Sequence, residues 1–184
     1  NDNLDEDNET VTIILSGASG AGTTDTTGLL TITDDDATPT ISINSTASIT
    51  EGDSGTSTQN MTATLSAASG RDVTFNYAIT AGTATSADFT AASGSYTISA
   101  GASTQTIPVS IIGDTTEENK TAETVVVTIS SPTNATLGST VVGTISITDN
   151  DGLNGGTTAT YNSSLATTWA STAEYTNIEA YNVT

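Results

Sequence analysis

Hydrophobic and polar residues alternate along much of the chain between residues 37 and 151. A period of two is the pattern of a β-strand that buries one face and exposes the other. Seven segments show this alternation, at residues 41–49, 61–65, 73–79, 96–98, 107–111, 125–129 and 141–147. Turns rich in Gly, Ser and Asp separate several of them. The pattern predicts an all-β fold, a seven-stranded antiparallel sandwich of the immunoglobulin type.

Two residues inside these segments predict local departures from a regular strand. Asn44 interrupts the first segment, so we expect that strand to break there. Pro108 stands inside the fifth segment and has no N–H to donate to a neighbouring strand. The fifth strand is therefore expected at the edge of a sheet or at a bulge.

The chain also repeats itself over a long period. Residues 9–16 (ETVTIILS) reappear at 123–130 as ETVVVTIS, and residues 28–36 (GLLTITDDD) reappear at 143–151 as GTISITDND. A β pattern inside so long a repeat indicates tandem β-domains. We therefore predict that residues 1–36 are the last two strands of an upstream copy, residues 37–151 a complete domain, and residues 152–184 an extension or the start of a different domain.

The partial copy at 1–36 needs a cover, because a two-stranded hairpin is marginal in water. Its apolar positions are Val11, Ile13 and Leu15 on one strand and Leu30 and Ile32 on the other. The missing strands either precede it in a longer polypeptide or are donated by a neighbouring subunit. Residues 153–184 are a candidate donor, which would make the chain the subunit of a homopolymeric filament. The first alternative is favoured, because the tail does not resemble the missing strands.

Composition excludes several functional classes. The chain has 21 acidic and two basic residues, Arg71 and Lys120, for a formal charge of −19, so a surface that follows nucleic-acid phosphates is excluded. It has no Cys and no His, which removes disulfides, thiol chemistry, ordinary zinc sites and imidazole-based catalysis. No apolar run is long enough to span a membrane. A Thr- and Ser-rich, Lys-poor sequence is typical of secreted bacterial surface proteins, so we expect an extracellular location at the cell surface.

High net charge with modest hydrophobicity is also a signature of disorder. Here the regular alternation and the clustering of the acids favour a folded chain. In the predicted sandwich, the turns that hold Glu51, Asp88, residues 114–123 and residues 149–151 meet at one end. Carboxylates so close together repel one another unless a cation lies among them, and an irregular all-oxygen site suits calcium. The alternative is that these acids merely solvate the turns.

Four short motifs carry a family resemblance. Residues 49–52 (ITEG), 87–89 (ADF), 112–114 (IGD) and 147–151 (ITDND) resemble the successive motifs of the Calx-beta domain. This is the calcium-binding β-sandwich of sodium/calcium exchangers, of an integrin β-subunit and of many large bacterial surface proteins. The resemblance covers residues 37–151 in full and residues 1–36 as the last two strands of another copy. It implies that calcium is bound by Glu51, Asp88, Asp114, Glu118, Glu123, Asp149 and Asp151.

The partial copy carries its own candidate ligands. Asp2, Glu6 and Glu9 fit the family's spacing of acids after the fifth strand, and Asp34, Asp35 and Asp36 form the terminal triplet. The complete domain departs from this pattern, because Glu123 is displaced by two residues with Lys120 inside the insertion. Asn150 also replaces the middle Asp of the triplet. Both changes predict a less negative site.

The leading functional hypothesis is structural. It makes the chain part of a long extracellular repeat protein, an adhesin stalk or filament, in which calcium at the domain tips stiffens the array. Its partners would be neighbouring repeats of the same protein. A second hypothesis is a calcium sensor in which binding changes the angle between domains, and a third is a module that binds a glycan or surface ligand through the region of Trp169. An enzyme is not expected, because no nucleophile and base are paired in the sequence.

Overall fold

The computed structural model describes residues 2–17, 19–20, 22, 26–118 and 122–151. In these ranges all regular secondary structure is β, arranged in three sheets. None of the described segments forms a helix of the length and apolarity that a membrane span needs. The tail at 152–184, with Trp169 and the proposed donor strand, lies outside the described residues, as does Lys120.

Two of the sheets form the sandwich. The strands of the chain are β1 (Glu9–Ile14), β2 (Thr27–Ile32), β3 (Thr40–Ile43), β4 (Thr46–Thr50), β5 (Gly55–Leu65), β6 (Val73–Ala81), β7 (Ala92–Ile98), β8 (Thr104–Gly113), β9 (Glu123–Ser130), β10 (Thr136–Leu137) and β11 (Val142–Thr148). One sheet has the order β10–β3–β5–β8 and the other β4–β11–β9–β6–β7. The predicted all-β sandwich is thus confirmed.

The core lies between these two sheets and follows the predicted alternation. On β9, for example, Val125, Val127 and Ile129 are buried while the residues between them are partly exposed. Met61 from β5 and Phe75 from β6 bring the opposite sheets together, and both are almost fully buried. Burying one such side chain stabilises the fold by about 1.5–3 kcal/mol, so the alternation fixes which face of each strand turns inward.

The first predicted strand divides at Asn44, as expected, and its two halves belong to different sheets. The Asn44 side chain holds this crossing, because its Oδ1 accepts a 2.7 Å hydrogen bond from the Thr62 N–H. Its Nδ2 donates to the carbonyl of Thr46 at 3.2 Å. These bonds replace ladder hydrogen bonds that the chain gives up where it changes sheets.

Two features differ from the predicted seven antiparallel strands. The pairs β4–β11 and β3–β10 are parallel, whereas the predicted sandwich is antiparallel throughout. Strand β10 consists of two residues, both exposed, and a strand this short shows no alternation in the sequence. The prediction for Pro108 is confirmed, since it lies in β8 at the edge of the four-stranded sheet.

Strands β1 and β2 pair antiparallel and form the third sheet, which we call the hairpin. Asp5, just before the hairpin, joins it to the sandwich. The Asp5 carbonyl accepts hydrogen bonds from the Gly70 N–H at 3.1 Å and the Ser69 hydroxyl at 3.2 Å. Its carboxylate forms an ion pair with Arg71 and accepts a 3.2 Å hydrogen bond from the Thr38 hydroxyl. Asp5 is consequently 5% exposed although it is charged.

Candidate metal centre

Six carboxylates meet at one end of the sandwich, which we call the acidic tip. They form two triplets, in each of which one carboxylate oxygen per residue lies within 4.8 Å of the others. The first triplet consists of Glu51, Asp149 and Asp151, and the second of Asp88, Glu118 and Glu123. No other acids in the described part of the chain form such a triplet.

The parallel pairing of β4 and β11 builds the first triplet. Because the two strands run in the same direction, with Thr50 opposite Thr148, the residues that follow them leave the sheet side by side. Glu51 follows β4, and Asp149 follows β11. The N–H of Glu51 donates to the Thr148 carbonyl at 3.2 Å, which continues the pairing beyond the strands.

The second triplet is built on the loop between β6 and β7, on the segment after β8 and on the start of β9. Asp88 is 2% exposed, and its Oδ2 accepts a 2.5 Å hydrogen bond from the Thr85 N–H. The backbone carbonyl of Asp88 accepts from the N–H of Ile112 at 2.8 Å, and the neighbouring Phe89 is buried in the core. Glu123 opens β9, whose inner face is also core. Hydrophobic packing therefore fixes the position of both carboxylates.

One hydrogen bond joins the two triplets directly. Oδ2 of Asp149 accepts from the N–H of Glu118 at 2.9 Å, and Oδ1 accepts from the N–H of Asp151 at 2.6 Å. Asp149 thus orients a member of each triplet through backbone donors. The acidic tip is for this reason one connected structure.

Gly52 and Gly113 allow the end of β8 to approach the segment that follows β4 at the acidic tip. The backbone carbonyl of Gly52 lies so close to Gly113 that a Cβ on Gly113 would overlap the oxygen. Gly52 itself has a φ of 93°, a left-handed conformation that side chains disfavour. Any larger residue at Gly113 would have to push β8 away from Glu51.

The crowded carboxylates raise the pKa of several members. Burial, and then the charges of Glu118 and Asp149, raise the pKa of Glu51 to about 7. Burial and the adjacent carboxylate of Asp88 raise the pKa of Glu118 to about 7 as well. Burial and Asp88 also raise the pKa of Glu123.

Other members of the triplets are held in the ionised form. Burial opposes ionisation of Asp88, but hydrogen bonds from Thr85 and the neighbouring glutamates outweigh it and lower the pKa. The backbone hydrogen bonds from Glu118 and Asp151 lower the pKa of Asp149. Each triplet therefore combines a fixed carboxylate anion with others whose ionisation is costly.

The donor set fits a hard divalent cation. All six side chains offer oxygen, the ligand type that calcium takes in sets of 6–8. Oδ2 of Asp151 is buried and has no hydrogen-bond partner, which leaves an acceptor to be satisfied. Arg71 is engaged with Asp5 and Asp7, beside the turn that joins β5 to β6, so it does not neutralise the acidic tip.

Asp114, the seventh predicted ligand, is placed differently. It belongs to neither triplet, and its Oδ1 accepts a 2.6 Å hydrogen bond from the N–H of Thr116 within its own loop. It still lies close enough for its charge to raise the pKa of Glu51 and Glu118. It is thus part of the electrostatic environment, and its role as a ligand stays a prediction.

The candidate ligands predicted in residues 1–36 line one surface depression, which comprises Asp2, Glu6, Asp7, Glu9, Ile32, Thr33, Asp34, Asp35 and Asp36. Asp34 organises it, because its Oδ2 accepts from the Glu6 N–H at 3.1 Å and its N–H donates to Oδ1 of Asn8 at 2.8 Å. Repulsion from Asp2, together with burial, raises the pKa of Glu6. Within the described residues these acids form no close triplet.

Two residues matter more than the sequence indicated. Asp5 joins the hairpin to the sandwich, whereas the predicted ligand series passes over it. Arg71 is the only sequence feature that points to Asp5, since an arginine among 21 acids is expected to pair with one of them, but the sequence does not say which.

Asn150 is the second residue, because its predicted effect is only to lower the negative charge of the site. In the structure its side chain also accepts a hydrogen bond from the Gly52 N–H at 2.7 Å and donates one to Asp53 at 2.6 Å.

The family is settled by direct comparison. A model of the Calx-beta domain matches residues 34–151. The chain belongs to the Calx-beta domain family. The match ends at Asp151 and contains both triplets, and it begins at Asp34, at the end of the hairpin. Comparison with curated proteins gives no match.

Solved Calx-beta structures share this fold. The calcium binding domain CBD12 of CALX1.1 is 18% identical, with a TM-score of 0.54, over 60% of this chain and 46% of that one. The apo-form Calx CBD1 domain is 17% identical, with a TM-score of 0.53, over 61% of this chain and 99% of that one. The Calx CBD2 domain is 14% identical, with a TM-score of 0.53, over 60% of this chain and 86% of that one. This Calx-beta chain matches less than half of the CALX1.1 structure, and identities this low show the fold alone.

Proposed function

We propose that this chain is a calcium-binding structural module of a long extracellular surface protein, an adhesin stalk or filament. The observation that carries the proposal is the acidic tip, where six carboxylates form two triplets and the buried Oδ2 of Asp151, in the first triplet, has no hydrogen-bond partner. No basic side chain of the described residues compensates them there. Burial, and then repulsion from neighbouring carboxylates, raise the pKa of Glu51 and Glu118, and a bound cation would remove the repulsion.

Calcium suits the acidic tip better than magnesium. The ligands come from four separate segments whose geometry is set by β-strands and loops. Calcium accepts 6–8 oxygens in irregular arrangements, whereas magnesium requires a near-ideal octahedron and keeps several waters. Structures titled as calcium-binding domains share the fold, which supports the same ion here. The triplets would hold it with Glu51, Asp149 and Asp151 and with Asp88, Glu118 and Glu123.

The structural role rests on how little chain separates the hairpin from the sandwich. Strand β2 ends at Ile32 and β3 begins at Thr40, and Asp5 is bound to Ser69 and Arg71 on the sandwich. A short, anchored connection restricts the angle between neighbouring units. The Thr- and Ser-rich, Lys-poor composition supports an extracellular location, and the absence of a nucleophile–base pair in the sequence supports a non-enzymatic role.

Calorimetry of the full chain with a chelator and then with calcium tests the metal. At calcium one hundredfold above the dissociation constant, linkage gives about 2.7 kcal/mol of added stability, which is roughly 10 °C in melting temperature for a domain of this size. Magnesium at the same concentration is the control and should give a much smaller shift. Equal melting temperatures with chelator and with calcium would refute the proposal.

A calcium sensor is the second candidate, and one observation favours it. The segment before β1 carries two predicted ligands, Asp2 and Glu6, on either side of the junction residue Asp5. A cation in the depression of the partial copy would therefore act on the segment that touches the sandwich. Small-angle scattering separates the two functions. A stalk should keep its maximum dimension when calcium is added, whereas a sensor should change it.

A further inference from the structure

The hairpin reproduces the register of two central strands of the sandwich. Glu9 pairs with Ile32 in β1–β2, just as Glu123 pairs with Ile147 in β9–β11. Both strand pairs continue in the same register to a glycine. Ile13 pairs with Gly28 in β1–β2, and Val127 pairs with Gly143 in β9–β11. The sequence repeat is therefore also a repeat of backbone pairing, and β1 and β2 correspond position by position to β9 and β11.

The corresponding apolar positions differ completely in exposure. In the sandwich they are core residues, namely Val125, Val127, Ile129, Ile145 and Ile147, at 0–2% exposure. In the hairpin they form an open face, namely Val11 46%, Ile13 52%, Leu15 60%, Leu30 52% and Ile32 49% exposed. A contiguous apolar face of this kind marks an interaction surface.

Among the described residues, no third strand pairs with either edge of the hairpin. In the sandwich β9 pairs on its other edge with β6, and β11 pairs in parallel with β4. In the described residues β1 and β2 pair only with each other. Open edges are templates for further strands, and the corresponding edges of the sandwich show which strands would fit.

Gly28 is an independent indication of what covers the face. At the corresponding Gly143, an added Cβ would overlap Cε of Met61 and lie 2.5 Å from the Asn44 carbonyl, because the chain crosses between sheets directly over it. At Gly28 the nearest atom to such a Cβ is Cβ of Ile13 at 3.9 Å. The hairpin thus has a glycine at the position where close approach requires one in the sandwich, but no segment of the described residues approaches it.

We infer that the β1–β2 hairpin is the docking surface for a segment built like residues 40–113, which supplies strands corresponding to β3–β8 and closes a second sandwich. The segment is expected from the N-terminal side of the same polypeptide. In the complete domain β8 leads into an acidic loop before β9, and the counterpart of this loop, with Asp2 and Glu6, already stands before β1. The inference concerns the fold of the hairpin and does not depend on a metal.

The test places residues 37–113 of this chain directly in front of Asp2 of the full chain. Hydrogen exchange is then followed at the amides of β1 and β2, with β9 and β11 as references in the same molecule. The expected result is exchange at least on the order of one hundredfold slower than in the unextended chain, which corresponds to about 2.7 kcal/mol of added protection. Unchanged exchange in β1 and β2, with β9 and β11 still protected, would overturn the inference.

Gly28→Leu is the matched variant. In the extended chain it should abolish the new protection, because the introduced side chain would meet the counterparts of Met61 and Asn44. In the unextended chain it should leave hairpin exchange unchanged. Protection that survives Gly28→Leu in the extended chain would contradict the proposed packing. Sedimentation of the unextended chain adds a third test, since slow hairpin exchange in a concentration-dependent dimer would identify a second copy as the occupant and overturn the inference.

Discussion

The N–H of Gly52 donates a 2.7 Å hydrogen bond to Oδ1 of Asn150, 98 residues further along the chain. It ties the residue after Glu51 to the residue between Asp149 and Asp151. The same amide side chain of Asn150 donates through Nδ2 to Oδ1 of Asp53 at 2.6 Å. A neutral side chain at this position therefore cross-links the two segments that form the first triplet, and it does so without adding another negative charge.

Asn150→Asp tests this cross-link. It keeps an acceptor for the Gly52 N–H but loses the donor to Asp53 and places two carboxylates in contact. We expect the calcium-free protein to lose about 1–3 kcal/mol of stability, measured by urea denaturation with a chelator. Asn60→Asp makes the same charge change on an exposed position of β5 and should have little effect. Equal losses in both variants would mean that Asn150 acts only through net charge.

The carboxylates of the triplets should control calcium affinity. Asp149→Asn removes a charge and keeps one of the two oxygens that accept from the N–H groups of Glu118 and Asp151, so one of these hydrogen bonds is lost while the hydrophobic core of the sandwich is untouched. We expect calcium binding to weaken on the order of tenfold or more, about 1.4 kcal/mol, in isothermal titration. Asp72→Asn is the control, because Asp72 accepts a hydrogen bond from Ala100 outside the acidic tip. Identical affinities for both variants and the parent would place the metal elsewhere.

The same titration distinguishes the role of Asp114. If it contributes only its charge, Asp114→Asn should weaken binding by less than Asp149→Asn. If it is a ligand, as the family resemblance implies, the two losses should be similar. A loss larger than that of Asp149→Asn would show that the two triplets do not contain the main ligands.

The calcium-free protein should lose stability as pH rises. Glu51 and Glu118 have a pKa of about 7 in the folded state, against 4.5 for an unperturbed glutamate. The folded state therefore binds more protons than the unfolded state between these values, and stability must fall as pH rises from about 4.5 to about 7. Denaturation with a chelator at several pH values measures this slope.

Glu51→Gln and Glu118→Gln provide the controls for the pH effect, because neither amide titrates. Each should flatten the decline of calcium-free stability across this pH range. Calcium should reverse the trend, since the ion competes with the protons and binds more tightly once the carboxylates are ionised. A calcium-free stability that rises through the same range would contradict the assigned pKa shifts.

Arg71→Ala should loosen the contact between the hairpin and the sandwich. It leaves the carboxylate of Asp5, 5% exposed, without its ionic partner, a loss worth about 1–3 kcal/mol. The Gly70 amide, which donates to the Asp5 carbonyl at 3.1 Å, should then exchange about 10–100 times faster. Asp7→Ala is the matched control, because that carboxylate also contacts Arg71 but is 84% exposed, and exposed pairs contribute little. Equal effects of the two variants would show that burial of Asp5 is not what stabilises the contact.

Much of the fold could be predicted from the sequence, because it depends on local alternation. Val125, Val127 and Ile129 lie on the inner face of β9 since side chains in a strand point alternately to its two sides. Asn44 and Pro108 mark a crossing and an edge for equally local reasons, namely a polar interruption and a missing N–H. The Calx-beta family membership also follows from short motifs that stand in the same order in the chain.

The candidate site was only partly predictable. The sequence determined that acids end up in turns at one end of a sandwich, because strand order and chain direction fix where each turn lies. It did not determine that β4 and β11 run in parallel, which is what sets Glu51 beside Asp149. Neither did it divide the acids into two triplets or separate Asp114 from them, since distances of a few ångströms depend on how loops pack.

The contact of Asp5 with Arg71 and the exposure of the hairpin belong to the tertiary structure alone. A chain with 21 acidic residues offers Arg71 many possible partners. The hydrogen bonds of Ser69 and Gly70 to the Asp5 carbonyl are what bring Asp5 beside it. Likewise, β1 and β9 have nearly the same sequence, and local propensity treats them alike. Their apolar faces differ because burial requires an opposing sheet, which the sandwich supplies for β9 and the described chain does not supply for β1.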